Sequence, residues 1–399
     1  MTASGSNALT IDLEAATRHL FEGLNSRRRM ELIEHTPFSM IDGVLGDAYT
    51  ISSIYHYTQD DSWWNLFLKR IQALIDVLRS HRFDAEGLLG GLSGLAYLLH
   101  VSKRSDGEFN NAISSLADRI TTLAERRMWK VRNSIGVSRE DYDFSTGLAG
   151  TAHFLFSVGG QGYPIARKIC DGFLERARQP FPDSFWTCAG DLGERMIENN
   201  PRLSSGMRDL GFAHGISSVI TTLKRGFGVF REKEYLDAAE KLCDHFIDDL
   251  QRHNNQGISY YEYPFQLDKG KSLSPLSRQA WCYGLPGLQV AIAGIPTLEE
   301  KIYSLLDYPD SYLDPVAGDF DGMGLCHGIA GRQYVSDQLS LPASESWLDG
   351  MKLHIRGFLG GDPLSTNLSF WEGIGGTLAV MSAYEKEINY APALGVLGA

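Results

Sequence analysis

Two short stretches hold the side chains best suited to chemistry. One is Gly324-Leu325-Cys326-His327-Gly328-Ile329-Ala330-Gly331; the other is Trp281-Cys282-Tyr283-Gly284-Leu285-Pro286-Gly287. Each sets a cysteine shortly before a Gly-x-x-Gly step, and the first adds an imidazole. Thiolate and imidazole are soft or borderline ligands. Three of them with one position left open is the usual layout of a catalytic zinc. Cys282 and Cys326 are too far apart in sequence for a zinc finger, so they can share a metal only if the fold brings them together.

The elements that must do so are legible as a repeat. A Gly-x-x-Gly step followed by an apolar helical pattern starts at Gly43, Gly91, Gly147, Gly215, Gly284, Gly328 and Gly373, with Ser218 replacing the second glycine of the fourth step. A spacing of about 45 residues holds two helices and two connections. The helices after the glycines are apolar all round, which marks buried helices. The intervening segments 11–29, 62–80, 109–127, 166–178, 232–250, 297–307 and 344–358 are charged, with apolar residues at i, i+3, i+4 spacing, which marks helices with a wet face. Trp64, Phe67, Leu68, Ile71, Leu74 and Ile75 form one such stripe. The expected fold is all-α: an α/α toroid, seven inner helices wrapped by seven outer ones, in one domain over 1–399. All seven turns then gather at one end, where Cys282 and Cys326 lie on neighbouring turns. Two gaps are longer by roughly twenty residues. They place insertions at about 179–207 and 251–275, the second with β character from Ile258-Ser259-Tyr260-Tyr261. The insertion reads equally as a docking surface or as a decorated loop.

Bulk composition narrows the partners. The 399 residues carry 37 Lys+Arg against 49 Asp+Glu, a net charge of −12, which argues against nucleic acid or an anionic membrane as the main partner. The five widely spaced cysteines do not form a disulfide framework. With no apolar signal region near residue 1 and no membrane span, this points to a reducing, cytoplasmic setting. Cys170 and Cys243 fall on helical stripes and read as small buried hydrophobes. Cys188 lacks a metal-site context, and His153 and His245 read as structural. Residues 391–399 carry no charged side chain and little periodicity, and no role follows for them.

Taken together, Trp281-Cys282-Tyr283-Gly284-x-Pro286-Gly287 and Cys326-His327-Gly328 on a sevenfold Gly-x-x-Gly repeat resemble the LanC-type lanthionine synthetase cyclases over nearly the whole chain. The resemblance implies Cys282, Cys326 and His327 as zinc ligands. It gives an acid–base role to His214, which precedes the fourth step, and places Asp143 beside it to orient or charge-stabilise the imidazole. Asp143 also reads as an N-cap for the third inner helix. Arg278, four residues before Cys282, could stabilise an enolate oxygen. Trp281 and Tyr283 either shape the pocket or pack.

The implied reaction adds peptide cysteine thiols to dehydroalanine or dehydrobutyrine, closing thioether rings in a dehydrated precursor with leader and core. The implied partners are a separate dehydratase and an export transporter, with peripheral association to a membrane-bound synthetase complex. Three other readings stay open: addition of glutathione to dehydrated residues, a prenyltransferase-type toroid, and a non-catalytic peptide-binding scaffold. The two-cysteine, one-histidine set fits the prenyltransferase type poorly.

Overall fold

A computed structural model describes residues 12–180, 183–199, 201–247, 251–255, 258–262, 266–268, 271–272, 280–297, 299, 322–340 and 344–398. Seven helices start directly after the seven repeat glycines: Val44–Thr58, Leu92–Ser102, Leu148–Ser157, Ile216–Phe230, Leu285–Ile292, Ile329–Gln338 and Ile374–Glu385. Their N-caps are Gly43, Gly91, Gly147, Gly215, Gly284, Gly328 and Gly373. Each packs against the next, and the seventh packs back on the first, so the inner ring closes. The α/α toroid is therefore the observed architecture. Leu13–Asn25, Asp61–Ser80, Asn110–Asn133, Tyr163–Ala177, Lys233–Ile247 and Glu345–Leu359 lie outside it. The expected outer segment 297–307 falls largely outside the described residues.

The second glycine of each step has a steric reason. A Cβ on Gly150 would overlap the carbonyl oxygen of Phe144, and one on Gly331 that of Leu325. The turn folds back so tightly that its own carbonyl lies against the first helical turn, and only glycine leaves room. Ser218, in the fourth step, instead bonds its Oγ to the carbonyl of Gly215 at 2.7 Å.

The outer helices bury one stripe, as their periodicity requires. In Asp61–Ser80 the buried apolar side chains are Trp63, Trp64, Leu66, Phe67, Ile71 and Leu74. Leu68, expected in that stripe, is exposed instead: it lies one helical step past the core-facing arc. Asp60 caps the helix through Ser62 N.

Residues 183–205 hold three short 3₁₀ turns and the helical turn Glu194–Asn199 around a small cluster of Leu192, Leu203 and Met207. The expected β character of 251–275 is present. Gln251–Asn255 pairs antiparallel with Ile258–Glu262, and Gln266–Asp268 joins Lys271–Ser272 to Arg208–Asp209. The two long gaps thus share a sheet, whose strand Arg208–Asp209 leads into the fourth turn.

Ala391–Gly398 lies inside the ring. Its 3₁₀ turn Pro392–Leu397 packs on the first and second inner helices, with Leu394, Val396 and Leu397 fully buried. Among the described residues no helix is long and apolar enough to cross a membrane.

Candidate metal and acid–base site

Backbone hydrogen bonds link consecutive turns into a belt around one end of the toroid. Met40 N donates to Leu89 O, Leu89 N to Ser145 O, and Ser145 N to Ala213 O. Phe212 N and Ala213 N donate to Cys282 O, Cys282 N to Cys326 O, and Leu325 N and Cys326 N to Trp371 O, at 2.8–3.2 Å. Because each turn is pinned to the next, residues far apart in sequence occupy fixed places in one mouth.

Cys282, Cys326 and His327 meet in that mouth, with their ligand atoms all within 4.8 Å of one another. Ligands at about 2.0–2.3 Å from a tetrahedral ion stand roughly 3.3–3.8 Å apart, so the cluster is close to the right size for one metal. Among the three ligand side chains Cys282 and Cys326 are buried and His327 is partly exposed; that exposure leaves an approach for a fourth ligand. The hydrogen bond from Cys326 pulls the Cys282 thiol below its ordinary value, against burial, which pushes it up, and with help from His327. Cys326 is correspondingly held well above its ordinary value by the same hydrogen bond and by burial. Two adjacent thiols, one of them favouring its thiolate, make a donor set suited to a cation.

Beside the cluster, His214 Nδ1 lies 2.7 Å from Asp143 Oδ2. Asp143 is fully buried, and its other oxygen, Oδ1, accepts from Thr146 N at 2.7 Å, Gly147 N at 2.8 Å and Thr146 Oγ1 at 3.1 Å. One carboxylate thus braces the turn that leads into the third inner helix, whose N-cap is Gly147, and holds the imidazole; the expected N-cap role of Asp143 is therefore replaced by a turn-bracing one. Burial pushes the His214 imidazolium down, but the hydrogen bond and charge of Asp143, with Asp209, outweigh it and leave its pKa raised.

A second network was not legible in the sequence. Tyr283 Oη donates to Asp209 Oδ2 at 2.9 Å, and Arg139 Nη1 reaches the same oxygen at 3.3 Å and Tyr283 Oη at 3.5 Å. The Tyr283 ring stands 6.1 Å from that of His214. It fits because residue 211 is glycine; a Cβ there would enter the ring. Tyr283 therefore belongs to a polar network, not to apolar packing alone. Arg139 and Asp209 lie four and five residues before Asp143 and His214, and only tertiary contact reveals them. Trp281 packs beneath, between Trp371 and Phe212, with ring centroids 5.0 and 5.1 Å away. Arg278 lies outside the described residues.

The remaining candidates have structural surroundings. His153 is buried between the rings of Tyr97 and Phe144, with Arg225 Nη1 2.5 Å from its Nδ1. Cys170 and Cys243 are buried in the core, and burial pushes the Cys170 thiol up. The side chain of His245 lies outside the described residues.

The family model for lanthionine synthetase C-like proteins matches residues 34–389. The chain belongs to this family. It is 20% identical over 379 residues to nisin biosynthesis protein NisC of Lactococcus lactis subsp. lactis, covering 92% of this chain and 90% of that protein. A solved structure of nisin cyclase superposes with a TM-score of 0.77 at 18% identity, covering 96% of this chain and 98% of the other. An unsaturated glucuronyl hydrolase from Bacillus sp. GL1 overlaps at a TM-score of only 0.40, with 13% identity. As a LanC-like toroid, the protein carries its candidate metal ligands on the fifth and sixth turns and its His–Asp pair on the fourth and third.

Proposed function

We propose that the protein is a zinc-dependent lanthionine cyclase acting on a dehydrated precursor peptide. The observation that carries this reading is the cluster of Cys282, Cys326 and His327 in the same mouth as an Asp143-held imidazole. Relatives named for nisin biosynthesis and nisin cyclisation support the substrate class.

Cys282, Cys326 and His327 would hold the zinc. When bound, it would make a substrate thiol nucleophilic at neutral pH, where a free thiol of pKa about 8.5 is mostly protonated. In the addition, the substrate sulfur forms a bond to the β-carbon of the dehydro residue. The olefin's electron pair moves toward the neighbouring carbonyl oxygen, and the α-carbon then takes a proton. His214 manages that proton: Asp143 fixes Nδ1, leaving Nε2 as the ring nitrogen that accepts the thiol proton or donates to the α-carbon. Its raised pKa favours the protonated ring and so its capacity to donate. Arg278, four residues before Cys282, is assigned to the enolate oxygen, and Tyr283 to the wall beside His214.

The same reading implies a separate dehydratase to make the substrate, an exporter for the product, and a cytoplasmic setting, which suits the five cysteines that are all free thiols. Ring closure does not change mass, so the test is alkylation of peptide thiols followed by mass spectrometry. Closure makes thiols resistant to alkylation. A glutathione-adding protein would instead leave the peptide thiols reactive and raise its mass by one glutathione per olefin when glutathione is supplied.

A further inference from the structure

The uncharged segment Ala391–Gly398 runs from the far end of the toroid to the underside of the site. At the far end, Ala391 N donates to the hydroxyl of Tyr57, in the last turn of the first inner helix, at 2.7 Å. Midway, a Cβ on Gly395 would come within 2.5 Å of Tyr97 Oη. At the site end, Trp281 Nε1 donates to Leu397 O at 2.8 Å. Gly398, at φ +79°, sits where a Cβ would meet the rings of Phe212 at 3.2 Å and Phe144 at 3.3 Å.

Those rings form a continuous layer. Phe144 lies 4.9 Å from Phe212 and 5.8 Å from Trp281, and Trp281 lies 5.0 Å from Trp371, between centroids. Each ring is tied to a functional group. Phe144 follows Asp143, Phe212 precedes His214 by two residues, Trp281 precedes Cys282, and the carbonyl of Trp371 accepts from Cys326 N at 2.9 Å.

We propose that Ala391–Gly398 is an axial strut that positions the site: by fixing Trp281 and filling the space under Phe144 and Phe212, it sets the placement of Cys282 and of the His214–Asp143 pair. The inference deepens the cyclase reading and rests on it for its catalytic consequence. Its structural consequence stands independently, in the His214 environment. A mere core filler would affect stability and leave the site unchanged.

Two small changes at the site end test this. Trp281→Phe keeps an aromatic ring but removes the N–H that reaches Leu397 together with part of the buried indole. Gly398→Ala adds one methyl group against Phe144 and Phe212. Leu74→Ala, in a distant outer helix, is the control for lost stability alone. The expected result is that both site-end variants release zinc to a chelator about three- to tenfold faster and lower kcat by a similar factor, through the lost Leu397 hydrogen bond in Trp281→Phe and the displaced Phe144 and Phe212 rings in Gly398→Ala. KM should stay within about twofold. The His214 imidazole should titrate about half a unit lower by NMR, a readout that needs neither metal nor turnover. Leu74→Ala should lower the melting temperature and move none of these. The strut is overturned if both site-end variants keep the wild-type His214 titration. It is equally overturned if Leu74→Ala shifts the site as much as they do. If the His214 titration moves but the wild-type protein binds no zinc and closes no ring, the strut stands and the cyclase reading fails.

Discussion

Asp143 reaches His214 with one oxygen and the start of the third inner helix with the other: Oδ2 lies 2.7 Å from His214 Nδ1, and Oδ1 accepts from Thr146 N and Gly147 N. The orientation of the imidazole is therefore built on a helix N-terminus that is itself pinned to the fourth turn through Ser145 N and Ala213 O. Bracing the turn and orienting the imidazole are one arrangement, and they can be separated by substitution.

Asp143→Asn keeps an oxygen for Thr146 N and Gly147 N but loses the charge facing His214. The fold should lose under about 1 kcal/mol, whereas Asp143→Ala, which leaves Thr146 N and Gly147 N without this acceptor, should lose about 1–3 kcal/mol. Because His214 is raised chiefly against burial by Asp143, the Asn variant should titrate lower. The protonated imidazole is present at low pH and lost as pH rises through its pKa, so the alkaline limb of the kcat profile should move to lower pH. The stabilising share of this pair follows the same sign: full below the ordinary value near 6.5, lost as pH rises through the raised one. Imidazole NMR titration and pH–rate profiles check both; an unchanged His214 titration would contradict the pairing.

Cys282→Ala and Cys326→Ala should each remove bound zinc, because two remaining ligands hold an ion poorly. Chelation of the wild-type protein should lower its melting temperature, since a ligand bound only by the folded state stabilises it. Elemental analysis and thermal melts with and without chelator measure this. One zinc per chain retained by both variants would exclude the cluster.

Asp209→Ala strips the partner from Arg139 and from the Tyr283 hydroxyl. Arg139 is partly solvated, with 23% of its side chain exposed, so the cost should be about 2 kcal/mol, below that of breaking a fully buried pair. Denaturant midpoints read the stability. Tyr283→Phe should cost less stability, about 1 kcal/mol, and should lower kcat more than it raises KM.

Gly331→Ala places a methyl group into the carbonyl of Leu325 and should cost about 3 kcal/mol or more. Ser218→Gly, at the equivalent place in the fourth step, should cost about 1 kcal/mol, the value of its Oγ hydrogen bond to Gly215. Equal melting temperatures for these two variants would refute the steric basis of the repeat.

The glycine steps carried the architecture because their spacing is local: each marks an inner helix whose apolar surface has only the ring interior to fill. The meeting of Cys282, Cys326 and His327 followed, since neighbouring turns must meet, and so did the placing of His214 and Asp143 on the turns before the fourth and third inner helices. The Arg139–Asp209–Tyr283 network did not, because it depends on a two-residue strand and on the absence of a Cβ at Gly211, neither of which leaves a periodic signal. Residues 391–398 were silent for a related reason. An uncharged, aperiodic segment gives no amphipathic face to read, and its place on the toroid axis comes from the ring that encloses it.

The central claim is that Cys282, Cys326 and His327 serve thiol addition in the mouth that His214 and Asp143 share. Its most direct test is a single incubation of a dehydrated, cysteine-containing precursor peptide with zinc-loaded protein, followed by thiol alkylation and mass spectrometry. The expected result is peptide thiols that become resistant to alkylation at unchanged mass with the wild-type chain, and stay reactive with Cys282→Ala. Thiols still fully alkylated after incubation with the zinc-loaded wild-type chain, or closed at the wild-type rate by Cys282→Ala, would contradict it.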